Sequence, residues 1–481
     1  MAKWNVASRQ NKGKDLPKPF TGIHPITRAP VEVVSTIFKH CLPTDQNSLP
    51  LPLKNASPIN VSCVCKQWRE IALSTPQLWS GIQMCVEDDQ PEAQWSHILE
   101  RWISRSGNIG FSFVINQERD EDWYEDSKIG DALDVLIKHS LLWVRVKIFM
   151  DSSTIARLMS VVPRNTPRLK ELTIYDENAQ DICIDLFSAP LEHLRELSLI
   201  AHATFGDGRV HGNLSSIALS LIDTTEIINC LSHCPRLEEL YIRFKSHGFD
   251  AQSLKSAVGS LTLPCLRTLK VRWNPDVDEV GYAAPLFDVL QLPCLMTLFI
   301  NIEPMESDSP WWDTFLRFFK RLESPLENLE IWGGGRNGTG KYSPALPHCL
   351  ALLPGLKYIG LPFEWLDELF RSHSPKASDT QWPNPQLKTF RVLSEDSSID
   401  KQGSTLLSAV EALMTASGPQ NDDAKAKRTP FIVVFPGRLT VKEAHPGVRV
   451  IGQYTWMAIH KHDMYGGAGQ YAWDWDVDDD F

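Results

Sequence analysis

The chain is short of several things that would assign it to a large functional class. No hydrophobic stretch approaches the ~20 residues that carry a helix across a bilayer. Its first twenty residues, MAKWNVASRQNKGKDLPKPF, are basic and polar, without the apolar core of a secretory signal. Positive charge is not in excess: 48 Lys and Arg face 59 Asp and Glu, a net charge of −11. That balance argues against nucleic acid, and against an anionic membrane surface, as the main ligand. The ten cysteines are scattered and form no C-x-x-C pair, so free thiols in a reducing compartment, cytoplasm or nucleus, are expected. The sequons at Asn60, Asn213 and Asn337 would then never meet the glycosylation machinery. Catalytic signatures are missing too: there is no G-x-S-x-G, no H-E-x-x-H, and no cysteine in a nucleophile motif.

Three near-matches to ligand motifs lack a necessary part. Gly335 to Ser343 holds the G-x4-G-K of a phosphate loop, but Tyr342 stands where Ser or Thr must hold the metal. His460, His462 and Asp463 lack further ligands at a known spacing. Asp474, Asp476 and Asp478 lack the central Gly and closing Glu of a calcium loop. No cofactor and no metal is therefore expected.

What is present begins with two short helices. Pro30 suits a first helical position, where its missing N–H has no partner to lose, and Val31, Val34, Ile37, Phe38 and Cys41 follow at helical spacing. In the second segment Ser57 can cap and Pro58 can open a helix. Val61, Val64, Cys65, Trp68 and Ala72 would share one face, with Lys66, Arg69 and Glu70 turned outward. Pro76 should end that helix near Ser74. Helices this short are marginal alone, so their apolar faces need the rest of the chain or a partner.

The residues Pro30, Glu32, Val33, Ile37 and Phe38, with Val64, Cys65, Lys66, Trp68, Arg69, Ile71, Ala72, Thr75, Pro76, Leu78 and Trp79, carry a pattern. It resembles an F-box in the form common among fungal F-box proteins, C-x-x-W-R-x-I-A-x-x-x-P-x-L-W. Ala29 stands where that family usually has Leu or Ile, and residues 44–55 insert a polar, Pro-rich stretch. The resemblance implies docking on a Skp-family adaptor through Pro30, Val31, Val33, Ile37, Phe38 and Trp68.

Downstream, L-x-x-L-x-L recurs, usually after Pro. Triplets open at Trp143, Leu169, Leu194, Leu214, Leu237, Leu266, Leu295, Leu326, Leu356 and Leu387, separated by 20 to 31 residues. Trp79, Ile82 and Met84 keep the same offsets. The L-x-L end alternates with period two among Ile, Val, Tyr and Phe, which predicts a strand. Helix signals fill the intervals, as in Thr224 to Leu231, Leu286 to Leu290, Pro310 to Phe319 and Leu366 to Phe370. The expected fold class is α/β: a small helical F-box, then an irregular leucine-rich-repeat solenoid with parallel strands on the concave side and helices on the convex side.

The expected divisions are a flexible 1–22, an F-box over 23–83, a connecting and capping segment over 84–142, the solenoid over 143–440, and a 441–481 segment with an acidic tail. A helix from Ser404 and a last strand, Phe431 to Phe435, are expected near the end.

Side chains alternating with the buried leucines would line the concave side. Among them Tyr241, Arg243, Lys270, Arg272, Phe299 and Trp332 would form a basic, aromatic patch suited to an acidic or phosphorylated peptide. An F-box ahead of such a solenoid resembles the substrate-receptor subunit of an SCF-type cullin–RING ubiquitin ligase. That resemblance implies a non-catalytic chain which reaches a cullin through the adaptor and holds an unknown protein target. The alternative is a scaffold outside any ligase, whose hairpin packs internally and whose solenoid binds a partner.

Overall fold

The structure is a computed structural model of the 481-residue chain. It describes residues 29–44, 48–86, 93–117, 129–175, 184–185, 191–200, 203–204, 212–220, 224–244, 260–273, 284–302, 311–332, 342–372, 384, 386–393, 431–435 and 448–452. The segment 1–22, most of the Gly335 loop, the helix expected from Ser404, the His460 and Asp474 clusters and the acidic tail lie outside the described residues.

The first helix, α1, covers Val31–His40. Pro30 stands at its cap, and its carbonyl accepts from the N–H of Val33 and Val34 at 3.0 and 3.1 Å. The second segment differs from the expected single helix. It is two: α2, Ile59–Ser62, and α3, Lys66–Leu73. Cys65 between them is fully extended, and its Sγ accepts from the N–H of Trp68 at 3.5 Å, which caps α3. Arg69 Nε donates to the carbonyl of Ser62 at 3.1 Å and so satisfies the end of α2. Valine and cysteine are weak helix formers, and these side-chain bonds make the break the better solution. Val64 consequently points outward instead of sharing a face with Val61.

Fourteen strands build one sheet, each parallel to the strand before it in the sheet. They are β1 Gly81–Val86, β2 Phe111–Gln117, β3 Trp143–Phe149, β4 Glu171–Tyr175, β5 Glu196–Ile200, β6 Ser216–Ser220 and β7 Glu239–Phe244. The rest are β8 Thr268–Trp273, β9 Thr297–Ile302, β10 Asn328–Trp332, β11 Tyr358–Pro362, β12 Thr389–Leu393, β13 Phe431–Phe435 and β14 Val448–Gly452. Two further short parallel pairs, Ile184–Asp185 with Ala203–Thr204 and Leu261–Thr262 with Leu290–Gln291, lie apart from it. The sheet reaches beyond 143–440 on both sides, because β1, β2 and β14 extend it.

The strands pair in register, so the repeat becomes rows. Leu269 of β8 faces Leu240 and Leu298, and Val271 faces Ile242 and Ile300. No member of the ten triplets is more than 4% exposed. Burying a side chain of this size is worth about 1.5–3 kcal/mol, so these rows supply much of the stabilisation. Helices in the intervals close over the apolar rows, among them Thr224–Ser232, Ala284–Val289, Trp311–Arg321 and Phe363–Ser372. The third of these buries Trp311, Trp312, Phe315, Phe318 and Phe319. Phe287 meets Phe315 edge-on at 5.6 Å, and Trp312 meets Trp365 at 5.5 Å.

The helical unit and the sheet share this core. Trp79 Nε1 donates to the carbonyl of Ala72 at 2.8 Å, and Trp102 Nε1 to that of Gly81 at 2.9 Å. Their rings meet edge-on at 4.9 Å, with the Arg105 guanidinium 4.3 Å above Trp79. The 44–55 insertion has a structural task as well. The N–H of Gln83 on the edge strand β1 donates to the carbonyl of Pro50 at 2.9 Å, so part of an open sheet edge is covered.

Candidate protein-interaction surfaces

Two surfaces hold the residues expected to bind. On α1, Val34 and Phe38 face inward, with Phe38 fully buried against Trp68 at 5.0 Å between ring centroids. Pro30, Val33 and Ile37 lie together on an exposed flank, and Val31 lies on the other side of the buried pair. Phe38 is therefore buried and not exposed, unlike the docking residue the resemblance implies. It is a pillar that sets α1 on α3, and Trp68 is half-buried beside it. Sequence periodicity put Phe38 and Ile37 in one stripe because a short helix with many apolar positions does not declare which flank meets the core.

Three further apolar residues join the exposed set: Leu53, Val64 and Leu73. Among the described residues nine large hydrophobic side chains are exposed, and six of them are Val31, Val33, Ile37, Leu53, Val64 and Leu73, each 40–60% exposed. Single exposed apolar residues are ordinary, but six of nine within one small helical unit is a marked concentration. Leu53 and Leu73 carried no signal in the sequence. Val64 was hidden by the assumption of an unbroken helix.

On the sheet's other face, register assembles the expected patch. Tyr241, Lys270 and Phe299 pair directly across β7, β8 and β9, and Arg243, Arg272, Asn301 and Trp332 form the next line toward the strand ends. The first line departs from expectation, because Tyr241, Lys270 and Phe299 are all buried. Strands ~4.8 Å apart leave large side chains little room, and neighbours cover one another. Lys270 Nζ lies 5.5 Å from the centre of the Phe299 ring. Burial pushes the Tyr241 hydroxyl up to about 12, against the opposing fields of Arg272 and Arg243. Those two arginines, with Trp332, are half-buried and form the accessible part.

Carboxylates occupy the opposite edge of the same face. Glu171 and Glu196 pair on β4 and β5, and Glu239 follows two strands on, past Ser216. Burial, then Glu171, holds Glu196 above the usual glutamate range, with Lys147 opposing. Burial also raises Glu239, opposed by Lys270 and by the hydroxyl of Ser216. Lys270 is thus electrostatically engaged within the face.

Residues 28–83 match the F-box-like family model. The N-terminal helical unit is accordingly an F-box-like domain, and the exposed apolar set lies within it. No curated protein matches the chain.

Proposed function

We propose that the chain is the substrate-recognition subunit of an SCF-type cullin–RING ubiquitin ligase. In this reading the F-box-like domain docks a Skp-family adaptor, and through it a cullin, by Pro30, Val31, Val33 and Ile37, with Leu53, Val64 and Leu73 adding area. Phe38 and Trp68 hold that surface in shape. The strand-rich remainder is read as an irregular leucine-rich-repeat solenoid whose polar strand face is concave and binds the target protein. Ubiquitin transfer is done by other subunits, and this chain contributes proximity, which alone is worth several kcal/mol of a barrier. Assembly of this kind belongs to the cytoplasm or nucleus.

The observation that carries the reading is that six of the nine exposed large hydrophobic side chains among the described residues fall in the one segment that matches the F-box-like family. In a scaffold whose hairpin packs internally, the rest of the chain would cover these side chains. Co-expression with a Skp-family adaptor tests the proposal. The wild-type chain should co-purify as a stoichiometric complex that also captures a cullin. Replacing Val31 and Val64 by Glu should break the complex while the thermal midpoint stays unchanged. A chain that purifies alone, with its apolar surface satisfied by self-association, would favour the scaffold.

A further inference from the structure

Two consecutive repeats enter their strands, β8 and β9, through the same four-residue turn. One turn is Leu263-Pro264-Cys265-Leu266 and the other is Leu292-Pro293-Cys294-Leu295. In each, the N–H of the last leucine donates to the carbonyl of the first, at 3.3 and 3.4 Å. In each, both leucines are buried while the proline and the cysteine are exposed. The cysteine is thus a corner that the turn lifts into solvent, and both thiols are free. Packing does not demand a thiol there, since Arg236 and Pro325 stand three residues before the neighbouring strands β7 and β10.

The two corners are pinned side by side. Before the turns Leu261 pairs with Leu290 and Thr262 with Gln291, and after them Thr268 pairs with Thr297. Both ladders match residues 29 places apart, which is the separation of Cys265 from Cys294. Hydrogen bonds bracket the turns closely. The N–H of Leu263 donates to the carbonyl of Gln291 at 3.0 Å, and that of Met296 to the carbonyl of Arg267 at 2.8 Å. Strands paired in this way stand ~4.8 Å apart, inside the Cα spacing of about 4.4–6.8 Å that a disulfide needs. Exposed side chains of register partners do meet here. Thr262 Oγ1 donates to Gln291 Oε1 at 3.0 Å, three residues before the cysteine in both repeats.

We infer that Cys265 and Cys294 form a modification site: a thiol pair that a hydroperoxide oxidises to a reversible disulfide, clipping the two repeats together. One thiolate attacks the peroxide, so that an S–O bond forms and the O–O bond breaks. With hydrogen peroxide the departing hydroxide takes up a proton and leaves as water. The second thiolate attacks the sulfenic sulfur, forming the S–S bond and expelling hydroxide, which is protonated in turn. The two thiols lose two electrons and two protons, and hydrogen peroxide becomes two waters. Exchange with two glutathione thiols restores the pair and yields glutathione disulfide. Register favours this pair over the other exposed thiols, because it turns the second step into a reaction between aligned neighbours. Cys65, by contrast, is occupied as the cap of α3. The pair reacts in the same way whether or not the chain serves a ligase.

The test treats the reduced full chain with hydrogen peroxide, blocks remaining thiols with N-ethylmaleimide, and maps the digested protein by mass spectrometry without reductant. Wild type should yield a peptide pair linked through Cys265 and Cys294, which glutathione releases. C265S and C294S should each lose the link, and C265S should leave Cys294 as a sulfenic acid that dimedone traps. C63S/C65S should keep the link.

Recovery of Cys265 and Cys294 as unreacted thiols, oxidation of each without joining, or links only to other cysteines or between two chains would each overturn the proposal. The serine variants exchange one exposed sulfur for oxygen, so their melting midpoints should match that of the reduced wild type. Should either fail to fold, the wild-type map and the other variant still decide the matter.

Discussion

Glu330, the most deeply buried charge on the sheet, is held by a gap one strand away. Its carboxylate accepts from Arg391 Nη1 at 2.8 Å, and the Tyr358 hydroxyl donates to the same oxygen. Arg391 is two strands distant, and the residue between them is Gly360. A Cβ there would sit 2.7 Å from Glu330 Cγ, so only glycine lets the two charges meet across β11. Glu330→Ala removes the buried carboxylate to which Arg391 donates and should destabilise the protein by about 3–5 kcal/mol, whereas replacing both partners by Met should recover much of that loss. Chemical denaturation of the three proteins checks this, and a single variant as stable as wild type would contradict it.

Glu196 gives a pH-dependent companion. Its folded-state pKa lies above the unfolded one, so the fold binds the proton more tightly. Its contribution to stability is fully present below the ordinary glutamate value and is lost as pH rises through the raised value. Glu196→Gln should therefore raise the melting midpoint at neutral pH, with a gain that shrinks on acidification. A midpoint lowered at neutral pH would mean that Lys147 and Arg145 more than offset burial.

Among the elements, strands were more legible than helix breaks or surfaces. Leu-x-x-Leu-x-Leu declares both a strand and its buried face, because alternation admits one orientation. The interruption between α2 and α3 was not legible, since it depends on a cysteine cap and on Arg69 reaching back seven residues. Alternation also assigns a side chain to a face without telling how crowded that face is. Tyr241, Lys270 and Phe299 thus share one row, as alternation predicts, but are buried within it. Trp79 was legible as a motif letter and as the start of a repeat-like triplet, yet not as the joint between the helical unit and the sheet that it forms. Trp79→Ala should cost about 3–5 kcal/mol. Its distinguishing result is early loss of amide protection in α1 and α3 while β7 to β10 stay protected, and uniform loss would deny it that role.

The whole molecule joins a small, partly apolar head to a long ordered sheet through continuous packing. Val34, Phe38, Trp79, Trp102 and the leucine rows belong to one buried cluster. An adaptor gripping the head would therefore hold the sheet in a defined orientation, which presentation of a target near a charged enzyme requires. The docking half of the candidate site was legible as a family pattern. Which of its residues are exposed was not, because exposure depends on how α1 rolls against α3, and that is decided by Phe38 and Trp68 in three dimensions.

The most direct measurement is the dissociation constant between the purified chain and a Skp-family adaptor, by titration calorimetry, for wild type and for Val33→Glu with Ile37→Glu. Two exposed apolar contacts replaced by unpaired charge should weaken binding by more than about 100-fold at an unchanged melting midpoint. Undetectable wild-type binding, or equal affinity in both proteins, would contradict the account.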